Sequence, residues 1–284
     1  MTAWFLAALQ TMLFVSMAPL LAGWIKRVKC HMQNRSAPSL LQPYRDMAKL
    51  FRKHTVLAEH ASWIFRATPY IVLGATILTA AVVPLVAVQL PTTAIADVIV
   101  LVGFLAEPAL LMVFFTAALI SNSTSLTSIV RTLSAQEIGI QPSLALAAVA
   151  LIMVALAENA RVPVDNPATH LELTMVHEAL ILEYSGRHLA LIEWAAALKL
   201  FAYACIGMAL FAPWGVAHAQ SPAALLTALP LLVAKLAAAG FLLALLETLS
   251  AKMRIFRVPE FLGMAFMLAV IAMLVRVLLG AGPQ

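Results

Sequence analysis

The chain has 284 residues, of which 63% are hydrophobic and only 11% are charged. A water-soluble globule of this size needs more polar surface, and the apolar residues are spread along the whole chain. The composition therefore predicts an integral membrane protein. It excludes a soluble enzyme, a secreted disulfide scaffold and a disordered chain.

Positive charge is concentrated in one early segment. Nine of the 18 lysines and arginines lie between Lys26 and Arg66, together with only two carboxylates, Asp46 and Glu59. By the positive-inside rule, a basic segment directly after a first apolar run is cytoplasmic, which places the N-terminus outside. Nucleic acid is not expected as a partner of so apolar a chain.

Apolar runs that can cross about 30 Å of hydrocarbon recur along the chain. Alternating polarity, the pattern of membrane strands, is absent. The sequence therefore predicts an all-α, polytopic transmembrane helical bundle of about seven to eight membrane segments, forming one integral membrane domain, 1–284. The predicted spans are 3–25, 68–90, 97–120, 142–158, 190–212, 222–248 and 260–280.

Two segments are too polar to span the membrane and are predicted as large cytoplasmic loops. The first, residues 26–66, is called the basic loop. Pro43 can open an amphipathic helix there, and its apolar face would lie at the membrane interface. That face is formed by Met47, Leu50, Phe51 and Leu57.

The second polar segment, residues 159–189, is called the junction loop. Asn166 and Pro167 are typical of a helix start, and Ser185 and Gly186 of a helix stop. A lipid-facing crossing is excluded because each carboxylate costs about 2.5 to 3.5 kcal/mol at mid-membrane.

Seven simple crossings would place the basic loop on one side of the membrane. The junction loop and the basic stretch 252–257 would both lie on the other side. The positive-inside rule requires all three on one side. We therefore predict one irregular element between residues 97 and 141, where Glu107 and Pro108 interrupt an apolar run.

Several charged residues lie within or at the ends of the predicted spans. Charges at this depth belong to a proton or ion route, to a structural ion pair, or to a side chain that reaches the interface. The sequence leaves these alternatives open. The acids are Glu107, Glu158, Glu193 and Glu247, and their candidate basic companions are Lys199 and Lys235.

The junction loop also carries acids and histidines in a helical pattern. Glu172 and Glu183 lie three turns apart on one face, and Glu178 lies about 120° away. Together with His170 and His177 they could pass protons, or they could form a solvated face. No metal site is expected, because the histidines lack the HExxH spacing.

Two long motifs resemble a known family. Residues 33–54, QNRSAPSLLQPYRDMAKLFRKH, resemble the first cytoplasmic loop of the respiratory complex I subunit 1 family. Residues 157–186, AENARVPVDNPATHLELTMVHEALILEYSG, are similar to its third cytoplasmic loop. This second motif is closest to the branch of formate hydrogenlyase and other group 4 membrane-bound nickel-iron hydrogenases.

The resemblance implies a non-catalytic membrane subunit of an oxidoreductase complex in the bacterial inner membrane. It would join a peripheral electron-transfer arm to antiporter-like, proton-pumping subunits. The docking residues implied are Gln33, Asn34, Arg35, Asp46 and Lys49. The junction and proton-path residues implied are Arg161, Asp165, Glu172, His177, Glu178 and Glu183, with Glu107 and Glu158 further along the path.

Partners implied by the resemblance are hydrogenase-like large and small subunits, an iron-sulfur subunit and the antiporter-like subunits. A nickel-iron centre and iron-sulfur clusters would belong to those partners, with none bound by this chain. Two alternatives stay open: a structural anchor that conducts no protons, and a quinone-reducing, NADH dehydrogenase-like subunit. An independent transporter is disfavoured because no internal repeat is seen.

The sequence departs from the family pattern at three points. Ala37 replaces the glycine of the NRxGP pattern, and His54 stands where the family tends to place a glutamate. The hydrogenase branch usually has a further helix and a glycine-rich loop before the stretch that begins at Glu107. Their absence agrees with the topology conflict and questions whether this chain builds a complete proton route.

Overall fold

The computed structural model describes residues 2–56, 61–84, 108–135, 141–161, 183–215, 222–250 and 258–280. Within these ranges the chain is helical and has no β-strand, which confirms the predicted all-α fold class. The described helices are α1 (Thr2–Met32), α2 (Gln42–Phe51), α3 (Trp63–Val82), α4 (Pro108–Ser121), α5 (Leu126–Ala135), α6 (Pro142–Glu158), α7 (Gly186–Phe211), α8 (Pro222–Leu249) and α9 (Val258–Gly280).

Five of the described helices, α1, α3, α7, α8 and α9, are long and apolar enough to cross a membrane. Two shorter apolar helices, α4 and α6, bring the set to the seven predicted apolar segments. Some boundaries were wrong. α1 continues to Met32 instead of ending at residue 25, and α3 and α7 begin four or five residues early, at Trp63 and Gly186. Charged residues at a helix end can reach the interface, so they do not end the helix.

Side-chain contacts give the direction of three of these helices. The Gln10 amide at the start of α1 donates to the carbonyl of Val83, just after α3, at 3.2 Å. Lys29 and Glu247 pair at the ends of α1 and α8. The C-terminal ends of α1 and α8 and the N-terminal end of α3 therefore lie on the same side of the bundle. We call this side the basic end.

The helices α6 and α7 run in opposite directions. Glu158 near the end of α6 pairs with Lys199 in the first half of α7, and Leu151 lies beside Gly207 further along α7. Tyr70 of α3 packs against His188 at the start of α7. Hence α7 begins, and α6 ends, at the basic end.

This arrangement removes the topology conflict, because the described ends of both loops and the end of α8 lie at the basic end. The end of α3 and the start of α6 both lie at the opposite end, so the chain between them makes no net crossing. In that interval the described residues form α4, with 14 residues, and α5, with 10, and each adjoins residues outside the described ranges. The predicted irregular element between residues 97 and 141 lies partly outside those ranges and stays a prediction.

The central helix of the bundle is α7. Of its most apolar window 56% is buried, against 17–33% for the other candidate spans. Its Phe201 ring packs edge-to-face on Phe14 of α1 at 4.6 Å, and both rings are fully buried. Residues on α7 therefore contact several helices at once, which is why the charges near its start belong to the site.

The amphipathic helix predicted in the basic loop is confirmed as α2, which has Pro43 in its first turn and Met47 buried. It lies alongside α1, since the Tyr44 hydroxyl donates to the carbonyl of Ser16. Burial raises the pKa of the Tyr44 phenol, so it remains a hydrogen-bond donor at neutral pH. Leu57, assigned to the same face, lies outside the described residues.

The close approach of α1 to the chain before α2 requires a glycine at position 23. A Cβ there would lie 2.6 Å from the carbonyl oxygen of Leu40, a backbone atom that cannot rotate away. We expect Gly23→Ala to destabilise the protein by about 1 to 3 kcal/mol and to loosen α2. Faster hydrogen exchange in α2 would measure this. Gly74→Ala, whose Cβ meets nothing within 4 Å, is the matched control and should leave α2 unchanged.

Candidate functional site

A buried carboxylate joins three helices at the basic end. The Glu247 side chain is 4% exposed, and its two oxygens pair with the Lys29 ammonium and the Arg161 guanidinium, each at 2.9 Å. Lys29 lies in the last turn of α1, and Arg161 follows the end of α6. Two cations offset the cost of burying one carboxylate, so this cluster fixes α1, α6 and α8 relative to one another. We call it the Glu247 triad.

A second ion pair lies nearby on α6 and α7. The Glu158 carboxylate and the Lys199 ammonium are 2.5 Å apart, and both side chains are partly exposed. The predicted companion role of Lys199 is therefore confirmed for Glu158. Only two residues separate Glu158 from Arg161, so the end of α6 carries one charge paired with α7 and another paired with α8.

Lys235, the other predicted companion, does not pair with a carboxylate among the described residues. Its ammonium donates to the carbonyls of Ala212, at 2.6 Å, and Trp214, and lies 4.7 Å from the centre of the Trp214 ring. Carbonyls at the end of a helix lack intrahelical donors and attract cations. Lys235 therefore caps α7, at the end of the bundle opposite the triad.

The two family motifs meet where each of them ends. The Ser185 hydroxyl accepts a hydrogen bond from the Val56 N–H at 2.7 Å and donates to the Val56 carbonyl at 2.8 Å. Gly186 has φ +53°, and a Cβ there would lie 2.8 Å from the carbonyl oxygen of His54. We call this contact the Ser185 tie. Ser185 and Gly186 thus open α7; the helix they were predicted to end lies outside the described residues.

An aromatic cluster supports the Ser185 tie. The rings of Phe65 and Tyr184 stack with their centres 4.1 Å apart, and the Tyr184 hydroxyl donates to the Phe65 carbonyl at 3.2 Å. His188 lies edge-on to Tyr70, and its buried Nδ1 has no hydrogen-bond partner among the described residues. The start of α3 and the start of α7 are therefore packed as one unit.

The five predicted docking residues are all exposed at the basic end. Three of them form the turn after α1, where Asn34 has φ +54°. The other two, Asp46 and Lys49, lie on α2, and Asp46 accepts a hydrogen bond from the Gln42 amide at 2.8 Å. The structure therefore leaves this set free to meet a partner. Its members are Gln33, Asn34, Arg35, Asp46 and Lys49.

Most of the predicted junction carboxylates cannot be placed. Of the junction set, the structure describes Arg161, in the Glu247 triad, and Glu183, which is exposed beside Tyr184. Glu193 is exposed on α7. The shared face of Glu172, Glu178 and Glu183 remains a prediction. Residues outside the described ranges are Glu107, Asp165, Glu172, His177 and Glu178.

The described residues contain no group of three His, Cys, Asp or Glu side chains that could hold a metal ion. The two cysteines lie on different helices, with Cys30 partly exposed on α1 and Cys205 buried on α7. An iron-sulfur cluster needs several cysteine ligands at one place. The part of the chain that the structure covers therefore offers it no site.

Comparison with known proteins agrees with this arrangement. The model of the family described as NADH dehydrogenase matches residues 5–106 and 101–278, which is nearly the whole chain. The chain belongs to this family, the complex I subunit 1-like proteins. The two loops that meet at the basic end are the segments that carry the family's motifs.

Two curated relatives come from Escherichia coli (strain K12). Formate hydrogenlyase subunit 4 is 27% identical, with 93% of this chain and 95% of the relative aligned. Hydrogenase-4 component C is also 27% identical, over 94% of this chain and 93% of the relative. A chain of the membrane-bound sulfane sulfur reductase, an archaeal respiratory membrane complex, has the same fold. It aligns with a TM-score of 0.77 at 19% identity, over 97% of this chain and 100% of the other.

The alignments also bear on the helix that the sequence lacks before Glu107. The alignment with formate hydrogenlyase subunit 4 is 296 positions long, but it contains only about 264 residues of this chain, which is 93% of its 284 residues. About 30 positions of the alignment therefore have no counterpart in this chain. The family match also breaks into two pieces at residues 101–106. The split in the family match agrees with a shortened chain just before Glu107.

Sequence reasoning did not single out Lys29, although the pattern held a signal for it. Leu21 and Ile25 are buried, and Lys29 follows them at the same spacing of four residues, on the same face of α1. A lysine that continues a buried stripe is expected to have a buried anionic partner. For Glu247, the sequence left a proton route and an ion pair open, and the structure shows the ion pair.

Proposed function

We propose that this chain is the membrane subunit of a hydrogenase-type, complex I-like oxidoreductase, and that it docks the peripheral electron-transfer arm and couples electron transfer to proton movement. The observation that carries the proposal is that both family motifs meet at one end of the bundle, through the Glu247 triad and the Ser185 tie. The relatives with 27% identity belong to formate hydrogenlyase and hydrogenase-4.

Docking is supported by charge and exposure. The basic end presents exposed cations from the end of α1, from α2 and from the starts of α3 and α7. Such a surface attracts an acidic partner and speeds its association. The positive-inside rule favours the cytoplasmic side for this end, with the N-terminus outside, in a bacterial inner membrane.

In this proposal the partners are hydrogenase-like large and small subunits, an iron-sulfur subunit and antiporter-like membrane subunits. The nickel-iron centre and the iron-sulfur clusters belong to the peripheral partners and supply the electron transfer. This chain holds those partners next to the junction loop. It also provides carboxylates that can bind and release protons in response.

The proton step begins at the junction loop. An electron that arrives in a partner beside Glu172, Glu178 and Glu183 makes proton binding to these carboxylates more favourable. The described carboxylate that the path would use next is Glu158, which is paired with Lys199. Glu158 can accept a proton only as the Lys199 ammonium moves away, so the pair would act as a gate. Glu107 would continue the path.

Reconstitution of the whole complex in vesicles tests the coupling. We expect Glu183→Gln and Glu158→Gln to lower proton uptake per electron pair at least about tenfold, while electron transfer continues. Uptake is followed with a pH-sensitive dye, and Glu260→Gln, an exposed carboxylate in the first turn of α9, is the control. Unchanged proton uptake in both variants would refute the proton route.

A second candidate function is a structural anchor that holds the same partners and conducts no protons. It is favoured by a specific observation, because both Glu158 and Glu247 are already paired with cations. The shortened chain before Glu107 favours it too. Full electron transfer with no proton uptake by the unmodified complex would select this alternative.

The electron acceptor is a separate question, since a quinone-reducing relative is the remaining alternative. Gentle purification of the complex from the native membrane, with metal and lipid analysis, distinguishes the hydrogenase type from the quinone-reducing type. Nickel in a large partner subunit would support the hydrogenase type. Bound quinone without nickel would instead support the NADH dehydrogenase-like reading.

A further inference from the structure

The Ser185 tie brings together exposed cations from three separate segments. Lys53 adjoins Gly186, since its carbonyl oxygen would lie 3.0 Å from a Cβ at that position. Arg66 follows Phe65, which stacks on Tyr184, and Arg187 follows Gly186. All of these cations are exposed, as is Arg52. We call this set the tie cluster: Arg52, Lys53, Arg66 and Arg187.

We infer that the tie cluster is a docking point for an acidic protein surface, and that Ser185 is the residue that positions it. The inference rests on the proposed function and deepens it, because it assigns a binding surface to residues outside the family motif positions named for docking. It also gives the chemistry of the partner, a face rich in carboxylates.

The charges of the tie cluster are not balanced within the described part of the chain. None of its members forms an ion pair with a described residue. A surface of exposed cations from both loops, without an ion pair to any described residue, fits an acidic face, since complementary charge sets both partner choice and association rate.

The helix ends add a second, independent argument. Arg66 and Arg187 lie in or beside the first turns of α3 and α7, and neither first turn contains an acidic residue. The N-terminus of a helix carries a partial positive charge, so a cation there is unfavourable and an anion is favourable. Two helix starts and four cations thus belong to backbone segments that adjoin one another at the Ser185 tie, and an acidic partner would relieve the repulsion between them.

Two sets of contacts fix the positions of the loop ends that carry the tie cluster. The Ser185 tie fixes Val56 to the start of α7, and the Glu247 triad fixes the end of α1 to Arg161. A surface that is already ordered costs less entropy to bind than two loops that must be brought together. Loss of Ser185 should therefore weaken binding although no charge is removed.

Partner binding by the intact chain tests the inference. The chain is placed in nanodiscs of zwitterionic lipid, and the peripheral arm released from the native complex by salt is added back. We expect the paired change Arg66→Gln with Arg187→Gln to weaken binding about tenfold or more, and Ser185→Ala about threefold. Ser185→Thr, which keeps the hydroxyl, should restore binding. Arg276→Gln, near the end of α9, is the matched control.

Each outcome has a defined meaning. If the unmodified chain binds the arm and the paired arginine variant binds it equally well, the inference is overturned while the proposed function stands. If the unmodified chain binds no peripheral arm, the proposed function itself fails. If the arginine variant purified from its native membrane carries less anionic phospholipid than the unmodified chain, seen by native mass spectrometry, and still binds the arm in the nanodiscs, the surface belongs to lipid and the inference is overturned.

Discussion

Glu247→Gln is expected to destabilise the folded chain by about 2 to 3 kcal/mol. Removing one partner of a fully buried ion pair typically costs about 3 to 5 kcal/mol, because the remaining charge is buried without compensation. Here the remaining cations are partly exposed, at 40% for Lys29 and 28% for Arg161, so they can turn towards water. The expected loss is therefore below the full range.

The measurement is chemical unfolding of the chain in detergent micelles. Glu260→Gln, which removes an exposed carboxylate at the start of α9, is the control and should change the free energy of unfolding by less than about 1 kcal/mol. A double-mutant cycle with Arg161→Met should give a coupling energy of about 1 kcal/mol or more. Equal unfolding of the Glu247 and Glu260 variants would show that the triad does not stabilise the bundle.

Gly186→Ala is expected to have the second large effect, on both stability and assembly. The residue has φ +53°, which costs an L-residue about 1 to 2 kcal/mol. The added Cβ would also lie 2.8 Å from the His54 carbonyl oxygen and 3.0 Å from that of Lys53. Since both atoms belong to the backbone, the two loops must separate, and we expect a total loss of about 2 to 4 kcal/mol.

Assembly gives the more specific measurement for this variant. The amount of peripheral partner that copurifies with each chain should fall several-fold for Gly186→Ala. Gly263→Ala, where a Cβ meets nothing within 4 Å, should copurify as the unmodified chain does. Full recovery of partners with Gly186→Ala would mean that the two loops need not be in contact for docking.

Some features could be predicted because they depend only on local sequence. Seven apolar runs predicted the seven apolar helices, and Pro43 with the spacing around Met47 predicted α2. Boundaries were less accurate, because α1 continues through three cations to Met32. Lys29 faces the buried side of that extension, where a partner from another helix makes the charge tolerable.

The site could be predicted in part. The docking and proton-path roles assigned from the motif positions stay predictions; the structure shows that the docking positions on the basic loop are exposed and that Arg161 belongs to the Glu247 triad. The motif positions could not supply the partner of Arg161, because Glu247 is 86 residues further along the chain. Ion pairs between helices depend on which helices become neighbours, and no periodicity within one helix records that.

By itself, the sequence determined that this is an all-helical membrane protein of the complex I subunit 1-like family, because apolar length and long polar motifs are local properties. It also exposed the topology conflict through the distribution of lysine and arginine. Only the tertiary structure decided how the conflict is resolved, because the end of α3 and the start of α6 lie on the same side of the bundle. The packing of α7 against α1, α3 and α6 likewise decided that both loops share one end, since the Glu247 triad and the Ser185 tie join residues distant in sequence.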